Sequence, residues 1–467
     1  LSIRIEVTLA EDFYLLAKQN LNIKNMSLPR YIGIKLLLFF MFFSNQHAIS
    51  QLISSGKSYI SVSGTQFILN DKPYYYIGTN FWAGMNLGSL SKSGNRERLI
   101  RELDRMYCIG INNLRVMALT EAPDTEPYRI VPSNNDSGIL KEEYLIGLDF
   151  LLAEMKKRNM YAVICLSNFW PWSGGFAQYQ KWVDDIKTIH YPMDTTKEQD
   201  WDLYMKETAK FYSSPRAIEL YLNSIKKIIL RVNTLSNQEY KNDETIMSWE
   251  LCNEPRGMRN IKDYLLWIEK SAGFIKHLDS NHLVTVGSEG LDSYKETNGT
   301  PFIETHQSKF IDYTCAHLWI QNWNWYDVKN HQATYRNALK KVGEYLEEHV
   351  NLATKLNKPF VLEEFGIGRD SGSYTAASTT IIRDEYYGCV FKLIYEYSKQ
   401  NKAAGVNFWA WGGEGRPRQS GGWWKNGDDF TGDPPHEQQG WYSVYDKDES
   451  TLKLIKKYTR LMNKLRN

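Results

Sequence analysis

Eight short, largely apolar runs recur along this chain, each followed by a longer segment of helical periodicity, and that alternation constrains the fold more than any other feature. The runs are Tyr74–Gly78, Asn113–Met117, Tyr161–Leu166, Ile246–Leu251, Leu283–Gly287, Tyr313–Leu318, Phe360–Glu364 and Gly405–Trp409. Each is apolar on both faces, as a parallel strand covered on both sides requires. Between them the periodicity predicts helices such as Arg96–Tyr107, Glu142–Lys157, Asn260–Lys276, Tyr335–Asn351 and Arg383–Gln400. Eight β-then-α units place the chain in the α/β class as a (β/α)8 TIM barrel. A doubly wound open sheet would carry a Gly-rich phosphate turn after its first strand. Here that turn reads Gly78-Thr79-Asn80-Phe81-Trp82 and cradles nothing. Ahead of the first run, Tyr59–Val62 and Phe67–Leu69 flank Ser63-Gly64-Thr65-Gln66, the pattern of a short N-terminal β-hairpin able to cover the barrel floor.

The front of the chain has a different character. Met26-Ser-Leu-Pro-Arg30 and Lys35 precede the apolar run Leu36–Phe43, and small and polar residues continue to Ser50. That is the order of a secretory signal peptide, with Met26 as its start. The expected division is a leader over residues 1–50 and one domain over 51–467, with the mature protein secreted or periplasmic. The apolar run is too short to span a bilayer, and no Cys follows it to take a lipid anchor, so no membrane partner is expected after cleavage. Net charge is only +2, with acids and bases interspersed, which excludes a nucleic-acid stripe. Cys108, Cys165, Cys252, Cys315 and Cys389 are isolated and odd in number. They read as small buried apolar residues and not as a zinc site or disulfide framework. A monomer is expected.

Polar and aromatic residues gather where the strands end, the face that carries the active site of a barrel. The fourth strand runs into Asn253-Glu254-Pro255 and the seventh into Glu364-Phe365-Gly366. Arg115 lies on the second, Asn168 ends the third, His317-Leu318-Trp319 ends the sixth, and Trp409 ends the eighth. Two carboxylates facing each other across a barrel mouth suit glycosidic cleavage, in which one protonates the leaving oxygen and the other attacks or activates water. Arg115 would favour the ionised form of the attacking group. Asn253 suits the sugar 2-hydroxyl, and Trp409 the floor under the reacting ring. Glu250 and Glu363 are set aside on alternation, because successive side chains of a strand face opposite ways. No spacing of Glu, His or Asp matches a metal motif, and neither metal nor cofactor is expected.

At these residues the chain resembles the clan A glycoside hydrolases, and family 5 in particular, over about residues 58–465. The resemblance implies that Glu254 is the acid/base and Glu364 the nucleophile, with Arg115, Asn253, His317 and Trp409 as the supporting shell. Leu166-Ser167-Asn168-Phe169-Trp170, Gly174-Gly175, Gln178-Tyr179, Trp182, Gly287-Ser288-Glu289-Gly290 and Gly440-Trp441-Tyr442-Ser443-Val444-Tyr445 are similar to the endo-β-1,4-mannanase subgroup. One position departs from the family. A Tyr normally stands two residues after the sixth-strand His, beside the nucleophile, and this chain has Trp319. The resemblance implies retaining hydrolysis of β-mannan or manno-oligosaccharide, with the carboxyl carbons about 5–5.5 Å apart. Trp82, Trp170, Trp172, Trp323, Trp325, Trp423 and Trp424 fall in mouth loops as candidate sugar platforms, and 412–440 forms an extended active-site loop. The alternatives are a β-1,4-glucanase of the same family and a non-catalytic carbohydrate-binding barrel.

Overall fold

Strand order explains why the two candidate glutamates meet. The computed structural model describes residues 58–121, 129–130, 133–136, 138–183, 201–291 and 300–466. The leader expected over 1–50 lies outside the described residues. Tyr59–Asn467 form one compact unit. The barrel strands are Tyr76–Asn80, Asn113–Met117, Tyr161–Cys165, Ile246–Glu250, Leu283–Thr285, Thr314–Leu318, Phe360–Phe365 and Gly405–Phe408. They are numbered here one to eight, and all their recorded pairings are parallel. The sheet runs in the order 5-4-3-2-1-8-7-6, so only the seam between strands five and six lacks a ladder. Single backbone bonds bridge it: Asp312 N–H to Val284 O at 2.8 Å and His317 N–H to Glu289 O at 3.0 Å. The TIM barrel expected from the sequence is the fold observed.

Helices Arg96–Cys108, Glu142–Lys157, Pro215–Ile229, Ile261–Leu278, His331–Leu356, Ile381–Lys399 and Glu449–Lys464 surround the strands. Local chemistry fixes their ends. The Asn95 side chain accepts from the Arg98 N–H, and Ser214 caps the helix that Pro215 opens. Asn357, at φ 53°, closes the long helix in the left-handed region. That helix outruns its expected span, Tyr335–Asn351: its first turn, His331–Thr334, carries no apolar stripe, while at the other end the stripe continues through Ala353 and Leu356.

The N-terminal hairpin does cover the floor, with a third strand. Ser61–Ser63, Gln66–Leu69 and Lys72–Tyr74 form an antiparallel sheet. Asn70 and Asp71 take positive φ between the second and third, as a two-residue hairpin turn requires. Tyr74 therefore belongs to this sheet and barrel strand one begins at Tyr76. The unbroken run Tyr74-Tyr75-Tyr76 gave no signal of the change. Ile60 and Phe67 join Tyr74, Tyr76, Val163, Met247, Leu283, Tyr313, Val361 and Ala404 in one apolar cluster. Arg466 tightens this end by stacking over the Tyr74 ring at 4.6 Å and donating to Tyr75 O. The five cysteines are free, but only Cys165, Cys252 and Cys315 are buried. Cys108 is exposed and Cys389 half-buried, because they fall on helix faces away from the barrel.

The floor fills its space completely. A Cβ built on Gly405 would meet Tyr76 ring atoms at 2.4–2.8 Å, and that ring is wedged against Phe67 and Tyr74. Gly343, on the long helix, would meet nothing within 4 Å. Gly405→Ala should lower unfolding free energy by about 1–3 kcal/mol. Gly343→Ala should raise it by about 0.4–1 kcal/mol. Urea unfolding of the two variants side by side checks both signs.

Candidate active site

Arg115 organises the mouth of the barrel. It is 4% exposed, and each arm of its guanidinium is engaged. Nε donates to Glu250 Oε2 at 2.7 Å, and Nη2 donates to Glu250 Oε1 at 2.6 Å and Asn253 Oδ1 at 2.8 Å. Nη1 donates to Asn80 Oδ1 at 3.0 Å and to Glu364 Oε1. Planar, forked geometry is what permits one cation to brace two carboxylates at once. Strand two thus fixes Glu364 on strand seven, while Glu250 on strand four neutralises the rest of the charge. Asn80, which sequence reasoning did not single out, also donates to Glu363 O at 2.9 Å.

Glu254 follows strand four with φ 50°, an unfavourable conformation for a residue with a side chain. Its backbone N–H is held by Gly287 O at 2.9 Å. Oε1 accepts from His317 Nδ1 at 2.6 Å and from the Trp319 indole at 3.4 Å, and Oε2 accepts from the Trp170 indole. Trp319 therefore serves Glu254 here, where the family's Tyr serves the nucleophile. Arg256 stacks over the Trp170 ring at 4.9 Å and pairs with Glu289. Asn253 donates to Asn168 Oδ1 at 3.1 Å, and Asn168 in turn donates to Ser173. His317 Nδ1 also lies 3.3 Å from Glu364 Oε2. The ligating atoms of Glu254, His317 and Glu364 all fall within 4.8 Å of one another.

Alternation does not separate the four glutamates. Strand seven carries a bulge, with Ala316 opposite Leu362 and His317 opposite Glu364, so Glu363 is skipped. An extra residue interrupts the period of two, and both Glu363 and Glu364 are buried. The Glu363 carboxyl, without a hydrogen-bond partner, approaches His317 Nε2 at 3.9 Å. Glu250 also faces inward, against Arg115.

Electrostatics distribute the protons unevenly. Burial pushes the Glu364 carboxyl up to about 7, with His317 and Arg115 pulling the other way. Burial would also raise Glu254, but the His317 hydrogen bond and charge, Arg256 and Trp170 hold it down at about 2. Burial would lower His317. Glu364, the hydrogen bond to Glu254, the nearby Glu363 carboxylate and the Glu254 charge overrule it and raise the imidazole to about 10.

Among the expected platforms, Trp409 is buried with its indole N–H unsatisfied, and its peptide to Ala410 is cis. Trp82 donates to Gly432 O at 3.0 Å and meets Trp172 edge-on at 5.6 Å. A narrow space in front of Arg115 is lined by Asn80, Trp82, Trp172, Asn253 and Trp409. Trp323 and Trp325 instead pack against each other and Tyr345 of the long helix, so they serve as wall. Two residues of the 412–440 loop were missed by sequence reasoning, because no periodicity marks a loop residue's direction. His436 lies parallel to Trp172 with ring centroids 6.3 Å apart, and its Nδ1 has no partner. Glu437 has an unpartnered buried carboxyl oxygen, and burial, then Asp433, Glu364 and Glu254, raise its pKa.

Residues 57–467 match the family described as "GH family 5 beta-mannosidase-like". Mannan endo-1,4-beta-mannosidase 4 of Solanum lycopersicum is 28% identical over 384 residues, covering 80% of this chain and 88% of that protein. The crystal structure of a glycoside hydrolase family 5 mannosidase from Rhizomucor miehei is 38% identical with a TM-score of 0.80, covering 88% of this chain and 98% of that one. A mutant of that enzyme in complex with mannosyl-fructose is 37% identical with a TM-score of 0.81 over the same shares.

Arg115→Ala would strand Glu250 as an uncompensated buried carboxylate and leave Glu364 with His317 alone. Unfolding free energy should drop by about 3–5 kcal/mol, measured in urea at pH 7. Arg115→Lys should recover only part of that loss, because one ammonium cannot replace the fork.

Proposed function

Because the chain belongs to glycoside hydrolase family 5, we propose that it is a retaining endo-β-1,4-mannanase in which Glu364 is the nucleophile and Glu254 the acid/base. The observation that carries this reading is the shared hold of His317 Nδ1 on both carboxylates, with their ligating oxygens within 4.8 Å. Each carboxylate places an oxygen in the same small cluster, which fits the close pair of carboxyl groups in a retaining site. Relatives named as mannan endo-1,4-beta-mannosidases supply the polymer and the linkage, and the mannosyl-fructose complex of the Rhizomucor enzyme supports a mannosyl ligand.

In this reading Glu364 attacks the anomeric carbon as the glycosidic bond breaks, and a proton moves from Glu254 to the leaving oxygen. Glu254 then takes a proton from water as that water displaces Glu364 from the sugar. The 2.6 Å bond from His317 Nδ1 to Glu254 Oε1 is the route by which Glu254 exchanges its proton. Arg115 steadies the ionised Glu364. Asn253 meets the 2-hydroxyl, and Trp409 lies under the reacting ring. The β-1,4-glucanase alternative uses identical chemistry and differs in tolerance of an equatorial 2-hydroxyl. Secretion by way of the 1–50 leader completes the proposal.

Glu364→Ala should lower kcat on mannohexaose by four or more orders of magnitude while the variant still binds it. Near-normal turnover would overturn the assignment. Early digests should contain several product sizes and no dominant mannose, and carboxymethylcellulose should release far less reducing sugar than mannan. A signal-cleaved product in the culture medium is expected from a secreting host. Glu364 acts only when ionised, so kcat/KM should climb as pH rises through its raised pKa. The Glu254–His317 pair must hold a proton, so activity should fall again as pH passes the raised value of His317.

A further inference from the structure

The bulge in strand seven puts two adjacent acidic side chains at the two nitrogens of one imidazole. Ala316 stands opposite Leu362 and His317 opposite Glu364, so Glu363 is the extra residue of the pairing. An extra residue breaks the period of two, and both side chains can then turn inward. Glu364 Oε2 lies 3.3 Å from His317 Nδ1, and Glu363 Oε2 lies 3.9 Å from Nε2. Asn80 holds the bulged backbone by donating to Glu363 O at 2.9 Å. The His317 backbone is held as firmly: its N–H donates to Glu289 O at 3.0 Å, and its carbonyl accepts from the Tyr345 hydroxyl at 2.7 Å. We infer that Glu363 is a positioning residue for the acid/base: it keeps a proton on Nε2 of His317, so that Nδ1 is the nitrogen through which Glu254 exchanges its proton. The inference rests on the assignment of Glu254 made under the proposed function.

Three observations carry this. First, both oxygens of the Glu363 carboxyl and Nε2 of His317 are buried without a hydrogen-bond partner, and His317 is the one ion-pair partner of Glu363 among the described residues. At 3.9 Å the contact is ionic and not a hydrogen bond. Both side chains are sealed from solvent, so water screens it little. Second, the ring is flanked by acids at both nitrogens. Nδ1 meets Glu254 at 2.6 Å and Glu364 at 3.3 Å, and Nε2 meets Glu363. A lone pair on Nε2 would face an anion, whereas an N–H there faces its counter-charge. A proton fixed on one ring nitrogen sets the role of the other. Third, no neighbour can replace His317 as the partner of Glu363. Burial holds the Tyr76, Tyr313 and Cys315 side chains around it well above their usual pKa values, so they stay neutral. Glu250 is an acid taken up by Arg115. The nearby cations are committed elsewhere, Arg115 to Glu250 and Glu364, and Arg256 to Glu289.

Glu363→Gln removes the charge and keeps the shape. Its kcat/KM on mannohexaose, whose leaving sugar needs a proton, should fall roughly tenfold. On dinitrophenyl β-mannobioside, whose leaving group departs unprotonated, the change should be no more than about twofold. The alkaline limb of the mannohexaose profile should move down by about one pH unit, because His317 releases its proton more readily once a neighbouring anion is gone. Glu363→Asp, which keeps the charge, should restore most of that limb. Equal losses on the two substrates, or an unmoved limb, would overturn the inference. Glu254→Ala in parallel keeps the two readings apart: equal losses of kcat/KM in that variant would remove Glu254 as the acid and sink the proposed function. Nitrogen NMR of the wild type labelled with 15N-histidine decides the Glu363 contact in either case, and also if Glu363→Gln does not fold. His317, identified by the signal lost in His317→Gln, should carry a proton on Nε2 at neutral pH. A bare Nε2 would overturn the inference.

Discussion

A single buried cation holds the catalytic face together. Arg115 comes from strand two and is braced by Glu250 on strand four, Glu364 on strand seven, Asn80 on strand one and Asn253 just beyond strand four. A charge withdrawn from water this far is tolerated only when its donors are met in good geometry. Arg115 in turn pulls the Glu250 and Glu364 carboxyls toward the ionised form, against the burial that raises both. Two carboxylates and one guanidinium therefore fix one another, and Glu364 is presented to the cleft as a consequence. The remainder of the site is arranged around that fixed point, with His317 reaching from strand six to both Glu254 and Glu364.

Much of the fold is written in apolar periodicity. Eight runs buried on both faces can satisfy themselves only in a parallel sheet covered by helices, and barrel strand two falls on the expected residues Asn113–Met117. Where periodicity is interrupted or continuous, legibility fails. Tyr74-Tyr75-Tyr76 hides the passage from floor sheet to barrel. The bulge at Glu363 defeats the inference that one of two adjacent glutamates must face away. A bulge is a property of the pairing between strands six and seven, and neither strand's sequence reports it alone.

The site was legible to the extent that its residues sit at strand ends. Arg115, Asn168, Asn253, Glu254, His317, Trp319, Glu364 and Trp409 are brought together as the sequence suggested, and Trp82 and Trp170 line or contact the same space. His436 and Glu437 were not legible, since a loop folded back over the mouth has no period from which direction can be read. The exchange of Tyr for Trp319 also resolves only in three dimensions. The indole reaches Glu254, so His317, Trp170 and Trp319 all bear on that one carboxylate. His317 holds the Glu254 carboxyl low and is itself raised by the carboxylates around it, so the two groups share one proton site through a single hydrogen bond.

The central claim is that Glu364 lies close enough to the anomeric carbon to bond to it, with no water between. The configuration of the first-formed product tests this most directly. Proton NMR during the first minutes of manno-oligosaccharide hydrolysis by concentrated enzyme should show the β-anomer of the new reducing end, with the α-anomer growing in by mutarotation. An α-anomer appearing first would mean that water, and not Glu364, attacks the sugar.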